Sequence, residues 1–84
     1  MFLHIVKADY VADYIINFTF NNGIVKEVDL KNELSGEIFE PLKDIEFFKK
    51  FEISAEIKTI CWPNGADFAP EHLFEIGQYL RKTA

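Results

Sequence analysis

A single cysteine, Cys61, stands in the whole chain, so no intramolecular disulfide can form. A lone thiol also suits a reducing compartment. Histidine is almost as scarce. His4 and His72 lie far from each other and from Cys61 in sequence, whereas a closed zinc site takes four Cys- or His-type ligands. No metal and no cofactor are expected. Basic charge is in short supply: nine Lys and Arg face 14 Asp and Glu, a net charge of −5. Binding to a phosphate backbone needs a basic face, so nucleic acid is not an expected direct partner. No apolar run approaches the ~20 residues of a membrane span. The N-terminus lacks a charged segment followed by a long apolar run, so no secretion signal is read there. A soluble, cytoplasmic setting is the expectation. The four glycines, Gly23, Gly36, Gly65 and Gly77, are isolated, which excludes a glycine-rich phosphate cradle.

What the chain does contain is apolar and aromatic. Hydrophobic residues make up 49% of its 84 residues, with nine Phe, three Tyr and one Trp. That is too apolar for a disordered tail. The length allows one domain, residues 1–84, and one core. It sits just above the roughly 70–80 residues at which a single core becomes marginal. With disulfides and metals set aside, aromatic packing and self-association remain as stabilising devices.

The first thirty residues read as a three-stranded meander. Residues 2–8 are rich in β-branched and aromatic side chains, with His4 inside the strand. Along residues 13–20, Tyr14, Ile16, Phe18 and Phe20 share one face, and Asp13, Ile15, Asn17 and Thr19 the other. Asn21-Asn22-Gly23 is a turn signal, and residues 24–30 alternate again. Register follows from the pattern. A three-residue loop pairs Phe20 with Ile24, Ile16 with Val28 and Tyr14 with Leu30, leaving Lys26 opposite Phe18 as the one mismatch. A two-residue loop sets Phe18 against Glu27 and Val28 against Asn17, so the three-residue loop is expected.

Lys31-Asn32-Glu33-Leu34 suits one helical turn, broken at Ser35-Gly36. Residues 37–42 read as an irregular or edge segment, since Pro41 cannot donate to a ladder. Asp44 is a good N-cap for a short helix over 45–50, with Ile45 and Phe48 facing inward. Two short strands come next, about 51–54 and 58–62, joined through Ser54-Ala55-Glu56. The spacing predicts a last helix over 70–81, with Pro70 at its first position, Glu71 at its positive end, and Leu73, Ile76 and Leu80 as its stripe. Arg81 and Lys82 would complement its C-terminal end. The fold class is α+β: a small antiparallel β-sheet, an N-terminal three-stranded meander plus two short strands, with a short middle helix and a C-terminal helix.

The richest stretch is Trp62-Pro63-Asn64-Gly65-Ala66-Asp67, followed by Pro70-Glu71-His72-Leu73. Physically it is a strand end, a Pro-Asn-Gly turn and a helix entry at which Asp67 can accept backbone N–H groups. It also resembles the Trp-Pro-Asn-Gly-x-Asp-x-x-Pro-Glu-x-Leu signature of a family of small bacterial proteins, domain of unknown function 2442 (DUF2442). The Asn21-Asn22-Gly23 hairpin, Val28-Asp29-Leu30, and Phe39-Glu40-Pro41-Leu42 with Asp44 and Phe48 come in that family's order. Ala69 stands where a capping residue is common in the family. The resemblance implies a small α+β fold and no established reaction. Some members of that family are encoded beside other small domains, in arrangements like toxin–antitoxin pairs, which implies a protein partner.

Candidate chemistry is thin, and no catalytic residue is assigned. Glu71 and His72 are adjacent on a helix, point about 100° apart, and do not converge with Asp67. Cys61 sits in an apolar strand with no base beside it. Trp62 suits either core or interface. Trp62, Pro63, Asn64, Gly65, Asp67 and Glu71 are therefore the candidate interaction or structural motif. The first functional reading is a non-enzymatic interaction module, antitoxin-like or regulatory, with a protein partner or self-association and no membrane. The second is a small ligand-binding or enzymatic domain built on the turn from Trp62 to Asp67, which requires a concave pocket there. The third is a homodimeric DNA-binding regulator, disfavoured by scattered lysines.

Overall fold

The computed structural model describes residues 2–80. Its main sheet opens with strands β1 (Ile5–Ala12), β2 (Ile15–Phe20) and β3 (Val25–Asp29), antiparallel in chain order. The β2–β3 register is the one the apolar pattern demands: Ile16 pairs with Val28 and Phe18 with Lys26. Phe20 N–H donates to Ile24 O and Leu30 N–H to Tyr14 O, which closes a three-residue loop. Gly23 sits there at φ 85°, a conformation that costs a glycine nothing. Asp13, at φ 46°, makes the β1–β2 turn, and Tyr10 Oη donates to its carbonyl. His4 falls just before β1, not inside it, and is tied to Asn21 by paired backbone and side-chain bonds.

One face of this sheet is covered. Ile5, Ile16, Phe18, Phe20, Val28 and Leu30 are buried on it. The cover begins with a 3-10 turn, Lys31–Glu33. Residues 37–42, expected as an irregular or edge segment, instead belong to a 3-10 helix, Glu37–Lys43. Pro41 is no obstacle there, because its fixed φ fits a tight helix and its missing N–H is tolerated in so short a segment. That turn buries Leu42 beneath it. Helix α1 (Ile45–Phe48) is next, and Asp44 caps it by accepting from Glu46 N–H at 3.1 Å. Phe48 is fully buried. Strands β4 (Glu52–Ile53) and β5 (Ile60–Cys61) pair antiparallel as a sheet of their own, and β4 packs against β1. Their connection is held by Ser54 Oγ, which accepts from Glu56 and Ile57 N–H.

The last helix is shorter than its periodicity predicts. Helix α2 runs Pro70–Ile76, with Pro70 in its first turn, and stops. Gly77 N–H closes it on Leu73 O, and the chain then extends into β6 (Gln78–Tyr79). β6 pairs with the edge of β3, Lys26 with Tyr79 and Glu27 with Gln78, which makes the sheet four-stranded in the order β1-β2-β3-β6. Two facts explain the stop. A β-carbon on Gly77 would lie 2.9 Å from Leu73 O and from Val28 Cγ2, so only glycine can bring the backbone this close to β3. The β3 edge also offers backbone groups that a further helical turn would leave unpaired. Of the expected stripe only Leu73 is buried; Ile76 is half-buried and Leu80 exposed. The roles expected for Arg81 and Lys82 lie outside the described residues.

Candidate functional site

The turn from Trp62 to Asp67 is a closed structural staple. Gly65 N–H donates to Trp62 O at 3.0 Å and Trp62 N–H to Ala66 O at 2.9 Å. Gly65 takes φ 93°, and Asn64 Oδ1 accepts from Ala66 N–H. Asn64 Nδ2 then reaches across to Ile38 O at 2.8 Å, tying the loop to the 3-10 helix. Trp62 is 3% exposed, and its indole N–H donates to Phe48 O at 2.7 Å. Its ring meets those of Phe48, Phe51 and Phe68 with centroids 5.7–6.4 Å apart. The core reading of Trp62 therefore holds. An aromatic buried with its one polar group satisfied contributes burial and fixes the orientation of three neighbours.

Asp67 does not cap α2. The cap position is Ala69, without a side-chain hydrogen bond, and Asp67 is exposed. Its backbone instead bridges Cys61 and extends the β5 side of the staple. Thr59 Oγ1, buried below, donates to Phe68 O at 2.6 Å and fixes the helix approach in place of a cap. Burial raises the Cys61 thiol pKa, with Glu52 and Asp67 adding to the shift. Such a thiol is a poor nucleophile.

Glu71 is exposed at the start of α2, where a carboxylate suits the helix dipole. Its neighbour His72 points elsewhere, with Nε2 2.8 Å from Glu33 Oε1 and its ring stacked on Phe68. This joins α2 to the first 3-10 turn. No sequence spacing pairs residues 33 and 72, so only the tertiary structure reveals it.

Lys26 stands opposite Phe18 as expected, but what it holds is not legible in the sequence. As the one mismatch on the apolar face it looks like a defect, yet it is 5% exposed. Its Nζ donates to Phe74 O near the C-terminus of α2, lies 3.8 Å from the Phe74 ring centroid, and lies 4.3 Å from that of Tyr79. The mismatch is a clasp that holds α2 and β6 to β3.

The described clefts lie away from the staple. One of about 440 Å³ is lined by Asp13, Tyr14, Ile15, Asp29, Lys31 and Ile45. Another, of about 260 Å³, is lined by Ile15, Glu27, Asp29, Ile76 and Gln78. Neither includes Trp62 or Asp67. Among the described residues no cluster of three or more His, Cys, Asp or Glu side chains is placed to hold a metal. No helix among them is long and apolar enough to cross a membrane.

No element among the described residues covers the other face of the main sheet. Lys7 and Asp9 on β1, Ile15, Asn17 and Thr19 on β2, and Val25, Glu27 and Asp29 on β3 share it. Ile15, Asn17, Thr19 and Val25 are half-buried on it. Asn17 Oδ1, at the centre, is out of contact with solvent and has no hydrogen-bond partner. A buried acceptor left unpaired carries a desolvation penalty.

A comparison with family models matches residues 5–79 to a family described as "Protein of unknown function (DUF2442)". Searches of curated proteins and of solved structures returned no match.

Proposed function

The chain belongs to the DUF2442 family, and we propose that it is a non-enzymatic protein-interaction module, the regulatory or antitoxin-like half of a small pair. The observation that carries this reading is the face of the main sheet that no element among the described residues covers. Trp62, Asn64 and His72 are already engaged within the fold. The open face presents Asp9, Glu27 and Asp29 against one lysine, Lys7, around Ile15, Thr19 and Val25. A basic protein surface complements that arrangement, and a net charge of −5 steers such a partner inward.

The test is coexpression with the neighbouring gene's product, followed by pull-down at low salt. Recovery of a complex that is lost with Glu27→Lys, while circular dichroism stays native, supports the reading. Recovery of a lone chain, or a complex indifferent to Glu27→Lys, overturns it.

A further inference from the structure

Strand β1 is one of the two outer strands of the main sheet, β6 being the other, and β4 packs near it. Phe20 N–H donates to Ile24 O and Leu30 N–H to Tyr14 O, so even-numbered residues of β2 turn their backbone groups toward β3 and odd-numbered ones toward β1. Lys7 pairs with Thr19 and Asp9 with Asn17, so Lys7 and Asp9 are the β1 residues bonded to β2. Ala8 and Tyr10 therefore turn their N–H and C=O groups outward. Ile5 N–H, further back, is taken by Lys58 O at 2.9 Å. Among the described residues no such bond reaches Ala8 or Tyr10. Irregularities at Ile5/Lys7 and Tyr10/Ala12 bracket this stretch and leave Lys7 to Tyr10 in unbroken register.

We propose that β1 pairs antiparallel with β1 of a second copy about a twofold axis at Ala8, joining two sheets into one of eight strands. The side chains select this register. With Ala8 opposite Ala8 of the second copy, Lys7 faces Asp9 of that copy and Asp9 faces its Lys7. Both side chains are exposed on the open face, 67% and 57% accessible, and lie 3.7 Å apart within one chain. The neighbouring registers that keep outward groups opposed put Lys7 opposite Lys7, or Asp9 opposite Asp9. Like charges directly opposite are unfavourable, and opposite charges favourable. A twofold contact requires such self-complementarity: residue i meets j, and j meets i.

The joined sheet continues the open face across both copies. A strand-edge contact belongs among the small interfaces, below roughly 1,200 Å² in total, where weak and transient pairs are found. This inference rests on the interaction-module reading and names one partner, a second copy, for its edge.

Sedimentation velocity on the purified full chain tests it, from about 1 µM to about 100 µM in about 0.15 M salt, where repulsion between two acidic chains is screened beyond about 8 Å. The wild type is expected to pass from monomer to dimer over that range. Lys7→Asp alone and Asp9→Lys alone are each expected to stay monomeric, with association weakened about tenfold or more. Mixed in equal amounts, the two variants present an all-acidic edge to an all-basic one, and the dimer returns. Both side chains are exposed, and circular dichroism verifies that each variant is folded. A wild-type monomer at all concentrations, single variants that dimerise like the wild type, or a mixture that stays monomeric each overturn the proposal. A monomer that still binds the neighbouring gene's product through Glu27 overturns self-pairing alone. A dimer without that partner retains self-pairing and removes the heteromeric reading.

Discussion

On the inner face of the main sheet, Ile16, Phe18 and Val28 are completely shielded from solvent. On the outer face their immediate neighbours Ile15, Asn17, Thr19 and Val25 stay half exposed. The strands are the same and the alternation is equally regular on both sides. The difference comes from the chain beyond residue 30. Two 3-10 segments, α1, the β4–β5 hairpin, the Trp62 staple and α2 all fold to one side, as in other sheets with a single covered face. The covered side thus uses Trp62, Asn64 and Gly65 for its own cohesion. The plainer side is left with groups to offer a partner.

The sharpest way to break this contrast is through Trp62. Trp62→Ala removes a buried aromatic and the donor to Phe48 O, and is expected to cost about 3–5 kcal/mol in urea unfolding. That is a large share of a stability of about 5–15 kcal/mol. A loss below about 1 kcal/mol would mean that the staple does not hold the covered side together.

Lys26→Met comes next. It keeps the apolar stem but leaves Phe74 O without its donor and removes the cation between two rings. The expected cost is about 1–2 kcal/mol, with faster amide exchange in α2 and β6 than in β2. Uniform exchange across the sheet would show that Lys26 is no clasp.

The smallest effect concerns Cys61. Its raised pKa predicts slower alkylation at pH 8 than that of an unstructured cysteine peptide, with the rate still climbing above pH 9. The sign comes from the causes: burial and two carboxylates favour the neutral thiol, so the reactive thiolate forms only at higher pH. Glu52→Gln removes one of those charges and should speed the reaction. Alkylation as fast as in the peptide would refute the account.

Much of the fold was legible because some residue choices have only one good geometry. Asn21-Asn22-Gly23 with its flanking alternation permits a single register that keeps Ile16, Val28, Tyr14 and Leu30 on one face. Asp44 before an apolar pair marks a helix start. The candidate motif was legible as a turn, but the fate of Trp62 was not, because a large aromatic at a strand end suits both a core and an interface. Lys26 was visible only as a mismatch, since its partners Phe74 and Tyr79 are about fifty residues away.

The C-terminal segment marks the boundary most clearly. The i, i+3, i+7 spacing of Leu73, Ile76 and Leu80 describes a longer helix, and locally that description is sound. Tertiary contact overrules it at Gly77, where the chain must pass within van der Waals range of Val28 and then satisfy the edge of β3. The β-meander, its register, its turns and the face each strand turns inward are written in the local pattern of residues, because they depend on neighbours along the chain. Which elements come to cover that face, where α2 ends, and what Trp62, Lys26 and His72 hold are settled by tertiary contacts, because they depend on groups that only folding brings within reach.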